Sequence, residues 1–182
     1  MDRSAYDSFV ALDQNHFWRV GKRALVLSTI SSLLDGQQDL RILDIGGACS
    51  LATQALTEYG DVICVEPDEG TLDLARTELG VNGVLGSLPD DFPADPPCQL
   101  VTLLDVLEHV EEERESLHAI YAALEPGGYL VCSVPAYQWL WSEHDEALHH
   151  KRRYTKTRLQ ACFLEAGFEI RRMTYYTCLL FP

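Results

Sequence analysis

The stretch from Leu40 to Glu66 constrains the fold more than any other. An apolar run over Leu40–Ile45 carries Asp44 near its end, breaks at Gly46-Gly47, and passes through Ala48, Cys49 and Ser50 into a helical pattern beginning at Leu51. A second apolar run, Val62-Ile63-Cys64-Val65, ends in Glu66. Strand, tight turn, helix, strand and terminal acid, in that order, are the first half of a nucleotide-binding α/β unit. Glycines at a strand-to-helix turn let backbone N–H groups approach a ligand closely. A carboxylate at the end of the next strand accepts two ribose hydroxyls and repels a 2′-phosphate. The pattern therefore points to an adenosine-containing cofactor.

The rest of the chain continues the alternation. Apolar residues recur with helical spacing from Phe9 to Leu34, and Asp35-Gly36 supplies a stop. Further strands are predicted over Val81–Leu85, Leu100–Leu104 and Tyr129–Val134. Helices are predicted over Leu51–Tyr59, Glu69–Leu79, Glu112–Leu124 and Thr155–Ala166. A proline-rich loop runs from Pro89 to Pro97, and Glu125-Pro126-Gly127-Gly128 reads as a turn. A last strand is predicted from Phe168 to about Thr177. This rhythm predicts an α/β fold: three layers, Rossmann-like and doubly wound, with a mostly parallel sheet, helices on both faces and right-handed crossovers. The apolar end Leu179-Leu180-Phe181-Pro182 has nothing after it to pair with, so a C-terminal strand is expected to be missing.

Composition narrows the function classes. The 182 residues suit one domain, and 47% hydrophobic with 23% charged residues is ordinary for a globular chain. A formal net charge of −14 argues against a sequence-independent grip on nucleic acid. The one basic cluster, Lys151-Arg152-Arg153, is short. The longest apolar runs are far too short to cross a bilayer, and the N-terminus has no apolar signal region, so a cytoplasmic location is the default expectation. Six dispersed cysteines without a Cys-x-x-Cys pair read as reduced thiols, four of them inside apolar elements, rather than as a zinc site.

At this level of detail the residues resemble the class I S-adenosylmethionine-dependent methyltransferases, over most of the chain. Four features carry the resemblance. Leu43-Asp44-Ile45-Gly46-Gly47 is similar to the family's apolar-acid-apolar-glycine loop. Glu66, twenty-two positions after Asp44, stands where the family places its ribose-binding acid. Leu104-Asp105-Val106-Leu107-Glu108-His109-Val110 looks like the family's fourth-strand exit, and Leu124-Glu125-Pro126-Gly127-Gly128-Tyr129-Leu130 like the turn into its fifth strand. The resemblance implies S-adenosyl-L-methionine as cofactor, held by Asp44, Gly46, Gly47, Ala48, Glu66, Pro67, Ser87, Leu88, Asp105 and Val106. The chain departs from the pattern where Ala48 and Ser50 replace two further glycines, and where Gly86-Ser87-Leu88 lacks an acid for the adenine amino group. Adenine would then rest on Leu88, with Ser87 as polar partner.

The resemblance also divides the single domain of residues 1–182. Residues 1–36 form an N-terminal helical lid on which Trp18 shields the methionine end and Arg23 pairs its carboxylate; the alternative is an amphipathic helix packed on the sheet. Residues 136–154 form an acceptor-side insertion carrying Trp139, Trp141, His144, His149 and His150. It resembles a His-Asp…His-x-Arg-Arg-Tyr block of a bacterial subset of the family. His109, His144 and His150 are the catalytic candidates, since a hydroxyl acceptor must lose a proton and histidine suits neutral pH. Arg152 and Arg153 offer forked donors to an anionic small-molecule acceptor; alternatively one pairs with an acid such as Glu143 and orders the loop. Asp105-x-x-Glu108-His109 with a later histidine also resembles the Glu-x-x-Glu-His divalent-ion site of some methyltransferases. The same string serves structure in members that look metal-free, and no metal ligand is assigned.

The leading reading is methyl transfer to oxygen or nitrogen of a small-molecule or glycan-like acceptor. The alternatives are a non-catalytic domain that binds the same cofactor and an NAD-dependent oxidoreductase. The latter lacks its G-x-G-x-x-G spacing here. Nothing in the sequence speaks to oligomeric state.

Overall fold

A computed structural model describes residues 10–47 and 50–176. Ala48, one of the expected cofactor contacts, lies outside the described residues, as do Thr177 and the apolar end at 179–182. Five strands form one sheet: β1 (Leu40–Ile45), β2 (Gly60–Glu66), β3 (Asn82–Leu85), β4 (Cys98–Leu104) and β5 (Leu124–Ser133). Every pair is parallel, and the order is β3-β2-β1-β4-β5. Parallel neighbours need crossovers, supplied here by α2 (Leu51–Leu56), α3 (Glu69–Leu74) and α4 (Glu113–Ala123) with their flanking turns and by the proline-rich loop. Because β2 lies on one side of β1 and β4 on the other, the strand order switches at β1. Such sheets bind ligands at the carboxyl ends of the strands beside that switch.

Period-two alternation divides the core into two layers. Leu43, Ile45, Val65, Val101 and Leu103 share a cluster with Leu117 and Ile120 of α4 and with Cys162 and Phe163 of α6 (Lys156–Glu165). Ile42, Val62, Cys64 and Leu100 join Val26, Ile30 and Leu34 of α1 (Phe17–Leu34) and Leu56 of α2. Strands covered on both faces are mostly apolar, as Leu40, Ile42, Leu43 and Ile45 are in β1, with Asp44 buried among them as a polar exception. Cys64, Cys98, Cys132 and Cys162 are reduced thiols in these layers. Among the described residues no helix is long and apolar enough to cross a membrane.

Several boundaries differ from expectation. The helical periodicity from Phe9 breaks at His16, which adopts extended backbone ahead of α1. Asp13, before the break, bonds the Arg23 side chain and the backbone N–H of Leu51, a geometry that a straight helix would forbid. Helix α2 stops at Leu56, and β2 starts at Gly60, where a Cβ would lie 2.1 Å from the Leu40 carbonyl oxygen. A π-helical turn over Ala75–Leu79 ends the third helical segment. The expected Glu125–Gly128 turn is drawn into β5 as an irregularity, with Cys98 opposite Leu124 and Leu100 opposite Tyr129.

The predicted last strand does not form over 168–176. Phe168, Ile170 and Met173 pack against the α4–α6 cluster, and the Tyr175 hydroxyl accepts the backbone N–H of Lys156. The segment is held by side chains over the helices instead of by a ladder along the sheet edge. The 136–154 insertion is ordered too: a 3-10 turn (Gln138–Leu140), then α5 (Glu143–Ala147). Its two ends meet where Tyr137 N–H donates to Tyr154 O at 2.8 Å and Tyr154 N–H to Pro135 O at 2.9 Å.

Candidate active site

The turn after β1 is built around Asp44. Its carboxylate is buried; one oxygen accepts Thr102 Oγ1–H at 2.6 Å and the other Thr53 Oγ1–H at 2.5 Å. Burial raises its pKa, and the two hydroxyls oppose the rise. A Cβ on Gly47 would lie 2.1 Å from Asp44 Oδ2, so only glycine admits this pair. Gly46 has φ +67° and packs so closely on Val106 that a Cβ would meet its Cγ2 at 2.6 Å. Asp44 therefore shapes the turn from inside. Ser50, which departs from the family pattern, caps α2 by accepting Thr53 N–H at 3.2 Å.

Glu66 ends β2 and is 8% exposed, yet among the described residues its Oε2 has no hydrogen-bond partner. Burial, reinforced by Asp44 and Asp68, pushes its pKa up to about 7. Buried polar atoms are nearly always satisfied, so this oxygen marks a place where a donor belongs. Pro67 is exposed beside it. The Gly86 N–H donates to the Glu66 carbonyl at 3.0 Å, bringing the next segment alongside. There Ser87 is exposed and its backbone pairs with Asp91, while Leu88 packs with Phe92 and Val106 against the core. An acid, a glycine turn and an apolar slot thus share one edge of the sheet.

Asp105, past the end of β4, has φ +58°, a strained value for a residue with a side chain. Its N–H donates to Ser133 O at 2.9 Å, its Oδ1 accepts Ser133 Oγ–H at 2.8 Å, and its Oδ2 pairs with Lys22 of α1. The cation that α1 brings to this edge is thus Lys22. Arg23, expected to meet the cofactor's carboxylate, points about 100° away around the helix and is held by Asp13. Trp18 is 37% exposed and tilts against Tyr176, with ring centroids 5.9 Å apart.

The insertion brings His150 to His109, with ring centroids 4.7 Å apart and edge-on. Donor atoms of Glu108, His109 and His150 all lie within 4.8 Å of one another. Behind them Asp145, wholly buried, accepts His150 Nδ1–H at 2.8 Å and two donors of Arg153, each at 2.7 Å. Burial works against its ionisation, but hydrogen bonds from Arg153 and His150 hold its carboxyl well below the usual range. Among the described residues the Glu108 Oε2 has no hydrogen-bond partner, and burial followed by Asp105 pushes its pKa up to about 8. Burial and His150 lower the pKa of His109, favouring the neutral imidazole. His144 is exposed on α5 and is not brought to this group.

Both arginine forks are paired within the chain. Arg153 clamps Asp145, not Glu143, and Arg152 pairs with Glu113 at 3.1 Å. Glu113 also accepts Tyr154 O–H at 2.7 Å and Arg158 at 2.8 Å. Arg152 and Tyr154 therefore root the insertion on α4, while Arg153 braces it from within. Sequence reasoning missed Asp145, Ser133 and Tyr176. Only Asp145 had a local signal, since Ser142-x-x-Asp145 is a capping-box spacing.

The sequence model of a family described as a methyltransferase domain matches residues 17–172. Ubiquinone biosynthesis O-methyltransferases of Alkalilimnicola ehrlichii and Idiomarina loihiensis are 28% and 31% identical over 117 residues, covering 60% and 59% of this chain and 47% of each relative. The chain spans about half the length of the curated relatives it matches. Among solved structures, N-methyltransferase NodS of Bradyrhizobium japonicum, crystallised with S-adenosyl-L-homocysteine, aligns with TM-score 0.66 at 17% identity, over 85% of this chain and 77% of that one. An S-adenosylmethionine-dependent methyltransferase of Mesorhizobium loti aligns at 0.65 and 20% identity, covering 80% and 81%. At such identities these structures establish the fold alone.

Proposed function

From the chain's place in the methyltransferase-domain family, to which it belongs, we propose that it binds S-adenosyl-L-methionine beside the Gly46-Gly47 turn and methylates an oxygen or nitrogen of a small-molecule acceptor. The observation that carries the reading is Glu66: a buried carboxylate oxygen with no donor among the described residues, at the end of β2 and beside the glycine turn. When bound, the cofactor supplies an electrophilic methyl group on a sulfonium.

The protein's part is positioning. Glu66 accepts the two ribose hydroxyls, and Gly46 and Gly47 let the turn's backbone come close. Leu88 and Val106 flank the base, with Pro67 and Ser87 on the rim. Asp105, fixed by Lys22 and Ser133, fixes the chain at the exit of β4. Methyl transfer is an in-line displacement, so alignment supplies much of the rate. The acceptor would enter past His109 and His150, and the neutral His109 imidazole would take its proton at the ring nitrogen not bonded to the Leu148 backbone. The relatives named as O-methyltransferases and the neighbour named as an N-methyltransferase support oxygen or nitrogen as the methylated atom.

Isothermal titration with S-adenosyl-L-homocysteine and with NAD tests the reading. Binding of the former with no response to NAD is expected; tight NAD binding without response to S-adenosyl-L-homocysteine overturns it.

A further inference from the structure

We propose that Asp145 is a positioning residue: it fixes His150 as a hydrogen-bond acceptor beside His109, and the two histidines select methyl acceptors that carry two adjacent hydrogen-bond donors. The proposal rests on the methyl-transfer reading for the use of the site, but not for what the site binds. Two chain segments are locked together to make it. Lys151 N–H donates to Glu108 O at 2.7 Å, which seats the residue before it, His150, against the exit of β4. A nitrogen of each imidazole and a carboxyl oxygen of Glu108 then lie within 4.8 Å of one another.

Asp145 decides which His150 nitrogen can accept. Its carboxylate is wholly buried among donors: Arg153 gives Nε–H and Nη2–H at 2.7 Å each, and Ser142 its backbone N–H at 2.9 Å. A carboxylate held ionised can only accept, so the His150 Nδ1, 2.8 Å from Oδ1, carries the hydrogen. The neutral ring then keeps its lone pair on Nε2. His109 is fixed in the same way: one ring N–H meets the backbone of Leu148, and the other nitrogen accepts. Glu108, 1% exposed, adds an Oε2 that meets no donor among the described residues. Arg152 and Arg153, the nearest forked donors of the insertion, are paired with Glu113 and Asp145. The wall is therefore made of acceptors, and a ligand that fits it brings donors.

Spacing names the ligand class. Vicinal hydroxyls, with oxygens about 2.8 Å apart and hydrogen bonds of about 2.8 Å, reach between two imidazoles this close. A vicinal diol, or a hydroxyl beside an amine, gives one donor to His109 and the next to His150. In a para-diol the two groups point in opposite directions, and only one meets the wall. The group on His109 is the one methylated, its proton passing to that ring. His150 holds its neighbour, which fixes the atom that faces the sulfonium. Sites built to bond a donor reject the analogue that lacks it, because their own polar atoms are left unpaired.

The test is nitrogen-15 NMR of histidine-labelled protein at about pH 8, where imidazoles are neutral, titrated under argon with ortho- and para-dihydroxybenzene. In the free protein His150 should carry its hydrogen on Nδ1, with Nε2 bare. The ortho isomer should bind about fivefold tighter than the para isomer, the worth of one hydrogen bond, and should shift the Nε2 signal. In Asp145→Asn the amide oxygen stays with Arg153 and Ser142 and the NH2 turns to His150, so the ring hydrogen should move to Nε2 and the isomer preference vanish. His150→Asn keeps a donor for Asp145 but has no nitrogen in the place of Nε2; it should stay folded by circular dichroism, lose the preference, and stand in if Asp145→Asn does not fold. A hydrogen on Nε2 in the wild type, equal affinity for the two isomers, no binding of either, or a preference that survives in His150→Asn overturns the proposal. S-adenosyl-L-homocysteine titrated into the same samples separates the two readings. Its binding without the ortho preference removes this proposal alone; the preference without its binding removes the methyl-transfer reading alone.

Discussion

Replacing Glu66 with glutamine should make the ligand-free protein more stable as pH rises and worse at holding its cofactor. The carboxyl's pKa is pushed from 4.5 to about 7, first by burial and then by Asp44 and Asp68. Between those pH values the native state keeps a proton that the unfolded chain has lost. Stability from this group therefore falls as pH rises through that window and is level above it. At ~1.4 kcal/mol per pH unit, the charge costs about 3 kcal/mol at pH 8, less whatever water reaches the rim. Glutamine keeps the shape and removes the charge. It still buries polar atoms, a cost independent of pH, so the readout is the change in the stability gap between variant and wild type. That gap should move by about 2–3 kcal/mol in the variant's favour between pH 5 and pH 8, or roughly 5–10 °C in Tm for a chain of this size. Urea or thermal denaturation at both pH values measures it. Affinity for S-adenosyl-L-homocysteine should fall more than about tenfold in the variant. In the wild type it should rise with pH up to about 7, as the ligand selects the ionised carboxylate. A gap that stays constant between the two pH values refutes the electrostatic argument; undiminished affinity refutes the ribose assignment.

Two further outcomes follow from the site's packing. Gly47→Ala places a methyl 2.1 Å from Asp44 Oδ2 and 2.8 Å from Thr53 Oγ1, and should lower stability by about 2–4 kcal/mol in urea denaturation. Asp145→Asn should cost about 2–4 kcal/mol near neutrality by unpairing Arg153. Because the Asp145 carboxyl is held below its ordinary range, its stabilisation is complete above about pH 4 and lost on further acidification. The variant's acid unfolding limb should be correspondingly shallower.

Much of the sheet was legible because a strand buried on both faces must be mostly apolar. The predicted and observed limits of β1, Leu40–Ile45, coincide. Helix ends were less legible, since they depend on partners distant in sequence: α1 begins only after His16 because Asp13 turns toward Arg23 and Leu51. The segment after α6 has the residue types of a strand, but its aromatic side chains found the helices before its backbone found an edge. In the site, periodicity located the turn and the strand-end acid. It could not choose between Lys22 and Arg23, adjacent on one helix, and, though it allowed that one of Arg152 and Arg153 pairs with an acid, it named Glu143 where the partners are Glu113 and Asp145. Ion-pair partners are settled by tertiary packing, which no local pattern records.

The closure of the 136–154 insertion bears on how such a chain diversifies. Its ends are tied by the Ala136–Tyr154 bridge, and Glu113 fastens that root through Tyr154, Arg152 and Arg158. Loop-closure entropy grows slowly with length, by roughly 0.6 kcal/mol per doubling, once the ends are fixed. The exposed side chains of Trp139 and Leu148 can therefore change with little effect on folding, provided Asp145 keeps its buried partners. In the acceptor-side role proposed for the insertion, selection could reshape what is admitted there while leaving the sheet, the turn and Glu66 untouched.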